Sequence, residues 1–285
     1  MARNQDRPFS AVQTLDGKTI LITGATSGFG ASCARILVTL HPARLILAVR
    51  SIERGEQFAT ELRTAHPNII VDVWILDMLD YHSVQALAQR CTTLPRLDIA
   101  ILNAGINAFE PKYSKSTGHE EILQVNYLST ALLSILLLPL LKSSKPGRLT
   151  ISGSAIGLHP KFPERKITPQ LVKADDVVVN NVDPGFSAMT GFSKDVPAAA
   201  KIVIGVLSAV MGRTAEQGAW TYVDAAVVKG KESHGSFIVN WENYPFHALM
   251  YTEEGKKVME QLWGETIADT GGYGVGQALD DLSHA

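Results

Sequence analysis

Leu21-Ile22-Thr23-Gly24-Ala25-Thr26-Ser27-Gly28-Phe29-Gly30 is the stretch whose reading decides the fold. Lys18-Thr19-Ile20 leads into it, so the segment reads as a short buried strand running into a glycine-rich turn. Residues 31–40 follow with apolar side chains at Cys33, Ile36, Leu37 and Leu40, the spacing of one helix face. Strand, tight turn and helix make the first half of a dinucleotide-binding βαβ unit. Gly24 allows the sharp turn, Gly28 lets backbone approach a pyrophosphate, and Gly30 lets the helix pack closely on the strand. Phosphates bound by such a unit sit at the exposed N–H groups of the helix N-terminus.

Composition narrows what can surround this unit. With 285 residues, 46% of them hydrophobic, the chain suits one α/β domain or at most two small ones. A single domain over residues 1–285 is expected, with 1–16 as an N-terminal extension and a glycine-bearing tail at 268–285 expected to be flexible. The net charge is −2 and the basic residues are scattered, so neither a nucleic-acid footprint nor a polybasic membrane patch is expected. Two cysteines, Cys33 and Cys91, cannot make a disulfide framework, which points to a reducing, cytoplasmic home. Residues 1–14 carry charges of both signs and no apolar run of the secretory kind. The most apolar run, 131–141, is too short to span a bilayer and reads as a buried helix.

Strand and helix patterns then alternate. Strands are expected at 44–49, 69–76, 97–102 and 148–152, with helices at 52–65, 81–90 and 119–141 between them. Val177-Val178-Val179 opens a sixth strand and residues 236–239 a seventh; helices are expected at 198–211, 214–228 and 252–267. Short apolar strands alternating with amphipathic helices argue for a doubly wound parallel sheet of about seven strands, covered on both faces in three α/β/α layers. Ligands of such sheets bind beyond the carboxyl ends of the strands. The second strand closes on Val49-Arg50, where an acidic residue would hold a ribose 2′-hydroxyl and a basic one pairs with a 2′-phosphate. Arg50, with Arg54 nearby, therefore favours NADP(H) over NAD(H).

The spacing Thr-Gly-x-x-x-Gly-x-Gly at residues 23–30 resembles the short-chain dehydrogenase/reductase family, Rossmann-type enzymes of the same α/β class. The resemblance implies that Thr23, Thr26, Ser27 and Phe29 line the cofactor turn with the three glycines. It also implies that Asp77-Met78 stands at the adenine ring, that Asn103-Ala104-Gly105 lies beside the cofactor, and that Pro184-Gly185 flanks the nicotinamide. Asn126 matches the helix asparagine that completes the family's proton relay through a water, and Ser154 matches the catalytic serine. The C-terminal third resembles fungal members of small-molecule and secondary metabolism.

The chain departs from the family after Ser154. The family next supplies Tyr-x-x-x-Lys, a spacing that puts both side chains on one helix face for proton transfer to the substrate oxygen. Here no tyrosine occurs between Tyr127 and Tyr222, and residues 159–176 carry Pro160, Pro163 and Pro169 in a charged run. The helix after the fifth strand therefore reads as deleted. What remains can still close a parallel crossover, with Thr168-Pro169 starting one short helix. The family's four-helix dimer contact is then expected to be absent, leaving a single copy. Asp183 is the first candidate to fill the chemical gap as acid, base or cation stabiliser, with a loop-capping role as the plain alternative. His159, Lys161, Lys166 and Lys173 are weaker candidates in a charged run of the kind that is normally solvated. No metal-ligand spacing is present. Reduction of a carbonyl or iminium in a small apolar metabolite, a redox-neutral cyclisation of the pericyclase type, and a catalytically silent binding protein all remain open.

Overall fold

The computed structural model describes residues 14–108, 110–154, 171–185, 212–246 and 248–284. Thr19–Thr23 (β1) turns into Gly28–Val38 (α1), followed by Arg44–Val49 (β2), Ile52–Ala65 (α2), Ile70–Ile75 (β3), Tyr81–Cys91 (α3) and Ile99–Leu102 (β4). A long helix, Glu121–Ser143 (α4), contains a π turn at Gln124–Leu128 and leads to Gly147–Ser152 (β5). Then come Val177–Val182 (β6), Ala215–Val223 (α5), Phe237–Val239 (β7), Glu242–Tyr244 (β8), Glu253–Thr270 (α6) and Val275–His284 (α7). The strands form one sheet in the order β3-β2-β1-β4-β5-β6-β7-β8. All neighbours are parallel except β7 and β8.

The alternation of side chains along β1 explains the layering. Ile20 and Ile22 join Leu45, Leu47, Ile99 and Ile101 in a core shared with α1, α2 and α5. Leu21 points the other way and joins Ile46, Ala100, Leu149 and Val179 in a core shared with α3, α4 and α7. Strands buried on both faces must be apolar throughout, which is why β1 and β2 read as continuous apolar runs. Strand order reverses between β1 and β4, so the carboxyl ends of these two strands frame the crevice where a ligand fits.

The expected parallel sheet is present, with one strand more than the pattern suggested. β8 pairs antiparallel with β7 through Asn240 and Trp241, both left-handed at φ 51° and 71°. Such a turn is usually signalled by Asn-Gly or Asp-Gly, and Asn-Trp hides it. The tail needs a larger correction. α6 continues to Thr270, and α7 lays Val275, Ala278 and Leu282 against α4, where a flexible segment was expected. Those three residues are spaced as one helix face, and Lys142 Nζ donates to the Leu282 carbonyl at 3.0 Å. The nearby glycines make a turn, with Gly274 at φ +92°.

The long helix expected at 119–141 is present, displaced by two residues. α4 has 23 residues and a mean hydropathy of 1.6 over its most apolar window, enough in length and composition to cross a membrane. Most of that window is buried between the sheet, α3 and α7, as in the core helix of a globular fold. The expected deletion after Ser154, the short helix at Thr168-Pro169, and His159, Lys161 and Lys166 lie outside the described residues, as does the helix expected at 198–211. Lys173 is described and lies before the amino end of β6, where its carbonyl accepts from Asp176 and Val177. It stands at the opposite edge of the sheet from the crevice and cannot serve there.

Candidate dinucleotide site

The glycine turn is held by the Thr23 side chain at the end of β1 and the Asn103 side chain just beyond β4. Thr23 Oγ1 accepts from the backbone N–H groups of Asn103 and Ala104 at 3.0 and 2.9 Å. The Asn103 side-chain amide donates to the carbonyls of Thr23 and Gly24 at 2.9 and 3.2 Å. These four bonds fasten the end of β1 to the end of β4 across the crevice. A Cβ on Gly30 would stand 2.5 Å from both Asn103 Nδ2 and the Gly24 carbonyl oxygen, so the third glycine is fixed by close approach. Gly24 and Gly28 have φ +67° and +55°, a left-handed backbone that glycine adopts without strain.

The residues present fit a pyrophosphate. Gly28 opens α1, and Ser27, its exposed N-cap, has no side-chain bond to the helix. The first N–H groups of a helix have no partner within it and carry its positive dipole end. Thr26 and Ser27 stand on the same turn. Phe29 differs from its expected part: its ring turns inward, edge-on to Tyr222 at 6.2 Å and against Gly218, so it packs the turn onto α5.

The adenine side is built from the next two strand ends. Arg50 follows β2, fully solvent-facing, beside Arg54 in the first turn of α2. Asp77 follows β3, and its Oδ1 accepts from the Leu79 N–H at 3.0 Å. Met78 is buried, and its carbonyl accepts from Ser129 Oγ at 2.6 Å. Gly105 is exposed beyond β4.

The Asn126 side chain has a partner that the sequence did not name. It sits in the π turn of α4, a feature frequent at functional sites. Its side-chain amide closes a two-bond ring with Ile106, accepting from the N–H and donating to the carbonyl, both at 2.9 Å. The side chain thus clamps the loop that carries Asn103-Ala104-Gly105, so it positions that loop.

On the other side of the crevice, β5 and β6 end side by side, Ser152 opposite Val182. Ser154 and Asp183 follow these strand ends, both half-buried. The Gly153 N–H bonds the Val182 carbonyl at 2.7 Å and the Asp183 N–H bonds the Ile238 carbonyl at 2.9 Å. Below them the Ser152 and Tyr222 hydroxyls pair at 2.8 Å, and burial pushes the Tyr222 phenol far above its ordinary range. Pro184 and Gly185 form the turn after Asp183, Gly185 at φ +83°.

A sequence profile of the family described as short chain dehydrogenase matches residues 18–164, spanning both the glycine turn and Ser154. The chain belongs to the short chain dehydrogenase family. The short chain dehydrogenase/reductase mfmJ of Annulohypoxylon moriforme is 43% identical, the alignment covering 90% of this chain and 85% of that protein. The short chain dehydrogenase virL of Hypocrea virens is 36% identical over 98% of this chain and 92% of its own length. A solved 3-oxoacyl (acyl-carrier-protein) reductase from Agrobacterium tumefaciens, with NADP bound, shares the fold at a TM-score of 0.63 and 21% identity. It covers 83% of this chain and 98% of its own.

Three residues of this short chain dehydrogenase site were not singled out from the sequence: Gly218, Arg213 and Asn240. A Cβ on Gly218 would overlap the Phe29 ring and stand 2.9 Å from the Pro184 carbonyl oxygen, so the glycine turn and the Pro184-Gly185 turn meet on α5 there. Arg213 donates to the Pro184 carbonyl and to Asn240 Oδ1. Burial draws the Arg213 guanidinium below the usual arginine value, and the Asp183 carboxylate partly counteracts this. A capping box at Thr214 and Gln217 starts α5 directly after Arg213, and that box is a readable signal for where the arginine must stand. Beyond Asn240, Phe246 and Met250 join Phe237 in a small core, while Tyr244 faces solvent.

Proposed function

We propose that this short chain dehydrogenase binds NADP(H), in preference to NAD(H), and acts on a small, largely apolar metabolite of a fungal biosynthetic pathway. The carrying observation is the fastened turn: Thr23, Asn103 and Gly30 hold the start of α1 in the form that receives a pyrophosphate. Arg50 and Arg54, exposed at the end of β2, would hold the 2′-phosphate, with Asp77 and Met78 at the adenine and Pro184 and Gly185 at the nicotinamide. When bound, the cofactor supplies or accepts a hydride.

Asp183 and Ser154 are the groups placed to meet the substrate. Ser154 would bond a substrate heteroatom. In this reading Asp183 acts as a carboxylate standing against a positive charge on the substrate. A carbon–nitrogen double bond that arrives protonated requires no acid from the protein. That fits a sequence with no tyrosine between Tyr127 and Tyr222. The virL alignment runs over 315 positions against a chain of 285, so the relative carries residues without a counterpart here, consistent with a lost segment.

The same missing tyrosine supports a second reading, a redox-neutral cyclase, isomerase or pericyclase in which orientation supplies much of the rate. A cytoplasmic, single-copy enzyme is part of the proposal. α7 packs Val275, Ala278 and Leu282 on α4, the helix on which the family's four-helix contact is built, and this supports a monomer independently of the deletion.

Titration with NADPH and NADH, followed by nicotinamide fluorescence, tests the first reading. Binding of NADPH at least tenfold tighter than NADH is expected. Arg50→Glu should remove most of that preference by weakening NADPH about 10- to 100-fold, the worth of one charge-assisted phosphate contact. Turnover of the substrate by cofactor-stripped protein would favour the redox-neutral reading, and absence of binding to either nucleotide would overturn the first.

A further inference from the structure

Two turns frame the far side of the crevice, and neither is rigid from its own sequence. Asp183-Pro184-Gly185 leaves β6 in a left-handed bend, and Asn240-Trp241 reverses the chain between β7 and β8 with two left-handed residues. Arg213 lies between them. Its Nη2 donates to Asn240 Oδ1 at 2.6 Å and its Nη1 reaches the Pro184 carbonyl at 3.4 Å. Its side-chain stem fills the space above Gly185, where an added Cβ would stand 2.9 Å from Arg213 Cδ. The hairpin is itself anchored, because Lys229 Nζ donates to the Trp241 carbonyl at 2.6 Å. The Pro184 carbonyl also rests on Gly218, which touches Phe29 of the glycine turn.

We propose that Arg213 is a positioning residue that fixes the Asp183-Pro184-Gly185 turn relative to the glycine turn, and so sets the geometry of the nicotinamide end of the site. The inference rests on the NADP(H) reading above. A planar guanidinium holds two acceptors in fixed directions, and one ammonium does not reproduce this. Asn240 is the arginine's anchor in the hairpin, so its loss should loosen the same turn without touching Pro184.

Two ligands separate this role from general damage. NADPH occupies both ends of the site, whereas adenosine 2′,5′-bisphosphate carries only the adenine and the 2′-phosphate. Calorimetric titration of the full chain with each is expected to show Arg213→Met weakening NADPH about tenfold, with the bisphosphate affinity unchanged. Asn240→Ala should reproduce that pattern more weakly, and Arg213→Lys should recover only part of the loss. Equal weakening of both ligands, or wild-type NADPH affinity in both the Arg213→Met and Asn240→Ala proteins, would overturn the assignment. If Arg213→Met does not fold, the Asn240→Ala pattern decides alone. Wild-type protein that takes the bisphosphate but shows no gain from the nicotinamide half also overturns it. Wild-type protein that takes neither ligand overturns the NADP(H) reading itself, and this inference falls with it.

Discussion

The two sides of the crevice are built in different ways. On the β1–β4 side, the parts that touch each other stand at the ends of strands adjacent in the sheet but 80 residues apart in the chain, and each is spelled out in a short motif. Thr23-Gly24 meets Asn103-Ala104 through four bonds, with Gly30 inserted between. On the β5–β8 side, the Pro184-Gly185 turn is held by Arg213, Gly218 and Asn240, which come from three later places in the chain. Both sides exist only once separate elements have packed, but on the first each partner is announced by its own motif, and on the second Arg213, Gly218 and Asn240 are not. Under the proposed NADP(H) reading, a site assembled this way would separate phosphate binding on the first side from substrate chemistry on the second.

The sharpest way to break this contrast is at Gly30. Gly30→Val should abolish measurable NADPH binding and lower the melting temperature, because its first carbon overlaps a backbone carbonyl and a bonded amide that cannot both retreat. Overpacking of this kind costs about 1–3 kcal/mol or more. Wild-type thermal stability in that variant would show that the β1–β4 side is not rigid.

Asp98 tests the same half from its other edge. Its buried carboxylate accepts from the Thr19 N–H at 2.9 Å and from Lys18 Nζ at 3.0 Å, and is paired with Arg96. Burial pushes the Asp98 carboxyl up, but the bonds from Arg96, the Thr19 amide and Lys18 outweigh it and hold it below the usual carboxylate range. A carboxyl depressed in the folded state stabilises in full above its unfolded value of about 3.9, and that stabilisation is lost as pH falls through the lower folded value. Asp98→Asn should therefore cost about 1.5–3 kcal/mol in urea unfolding at pH 7. The gap from wild type should narrow below pH 4; a gap independent of pH would contradict the assignment.

Gly218→Ala probes the assembled side. It should destabilise by about 1 kcal/mol, less than the Gly30 change, since the Phe29 ring can turn aside. Combining it with Phe29→Ala should recover part of that loss, as coupled neighbours do. Strict additivity would mean the two turns are not joined at Gly218.

The smallest effect on the crevice is expected for Leu282→Glu, which undocks α7 from α4 while leaving the sheet and NADPH binding intact. Its readout is mass: light scattering should move from monomer toward self-association as the apolar α4 face is uncovered. A wild-type dimer would overturn the single-copy proposal.

Much of the β1–β4 side could be read directly, because a turn that needs left-handed backbone names its glycines and a buried parallel strand names its apolar run. Arg50 was singled out by its position directly beyond β2, and Asp77, two residues beyond β3, by the family resemblance. The sequence marks Asn126, but only the fold shows its amide ring on Ile106. The C-terminal helix was missed because glycines at 271, 272, 274 and 276 mask the apolar spacing of Val275, Ala278 and Leu282.

What the sequence by itself determined was the nucleotide half: a βαβ start, glycines where backbone must come close, a basic residue at the second strand end, and the absence of a tyrosine where the family carries one. Each of these is a local requirement, satisfied or violated within a few residues. What only the tertiary structure decided was the placement of Arg213, Gly218 and Asn240 around Asp183, and the covering of α4 by α7. Those depend on which distant surfaces pack together, and burial of a shared face, unlike a turn, leaves no mark at a fixed spacing in the chain.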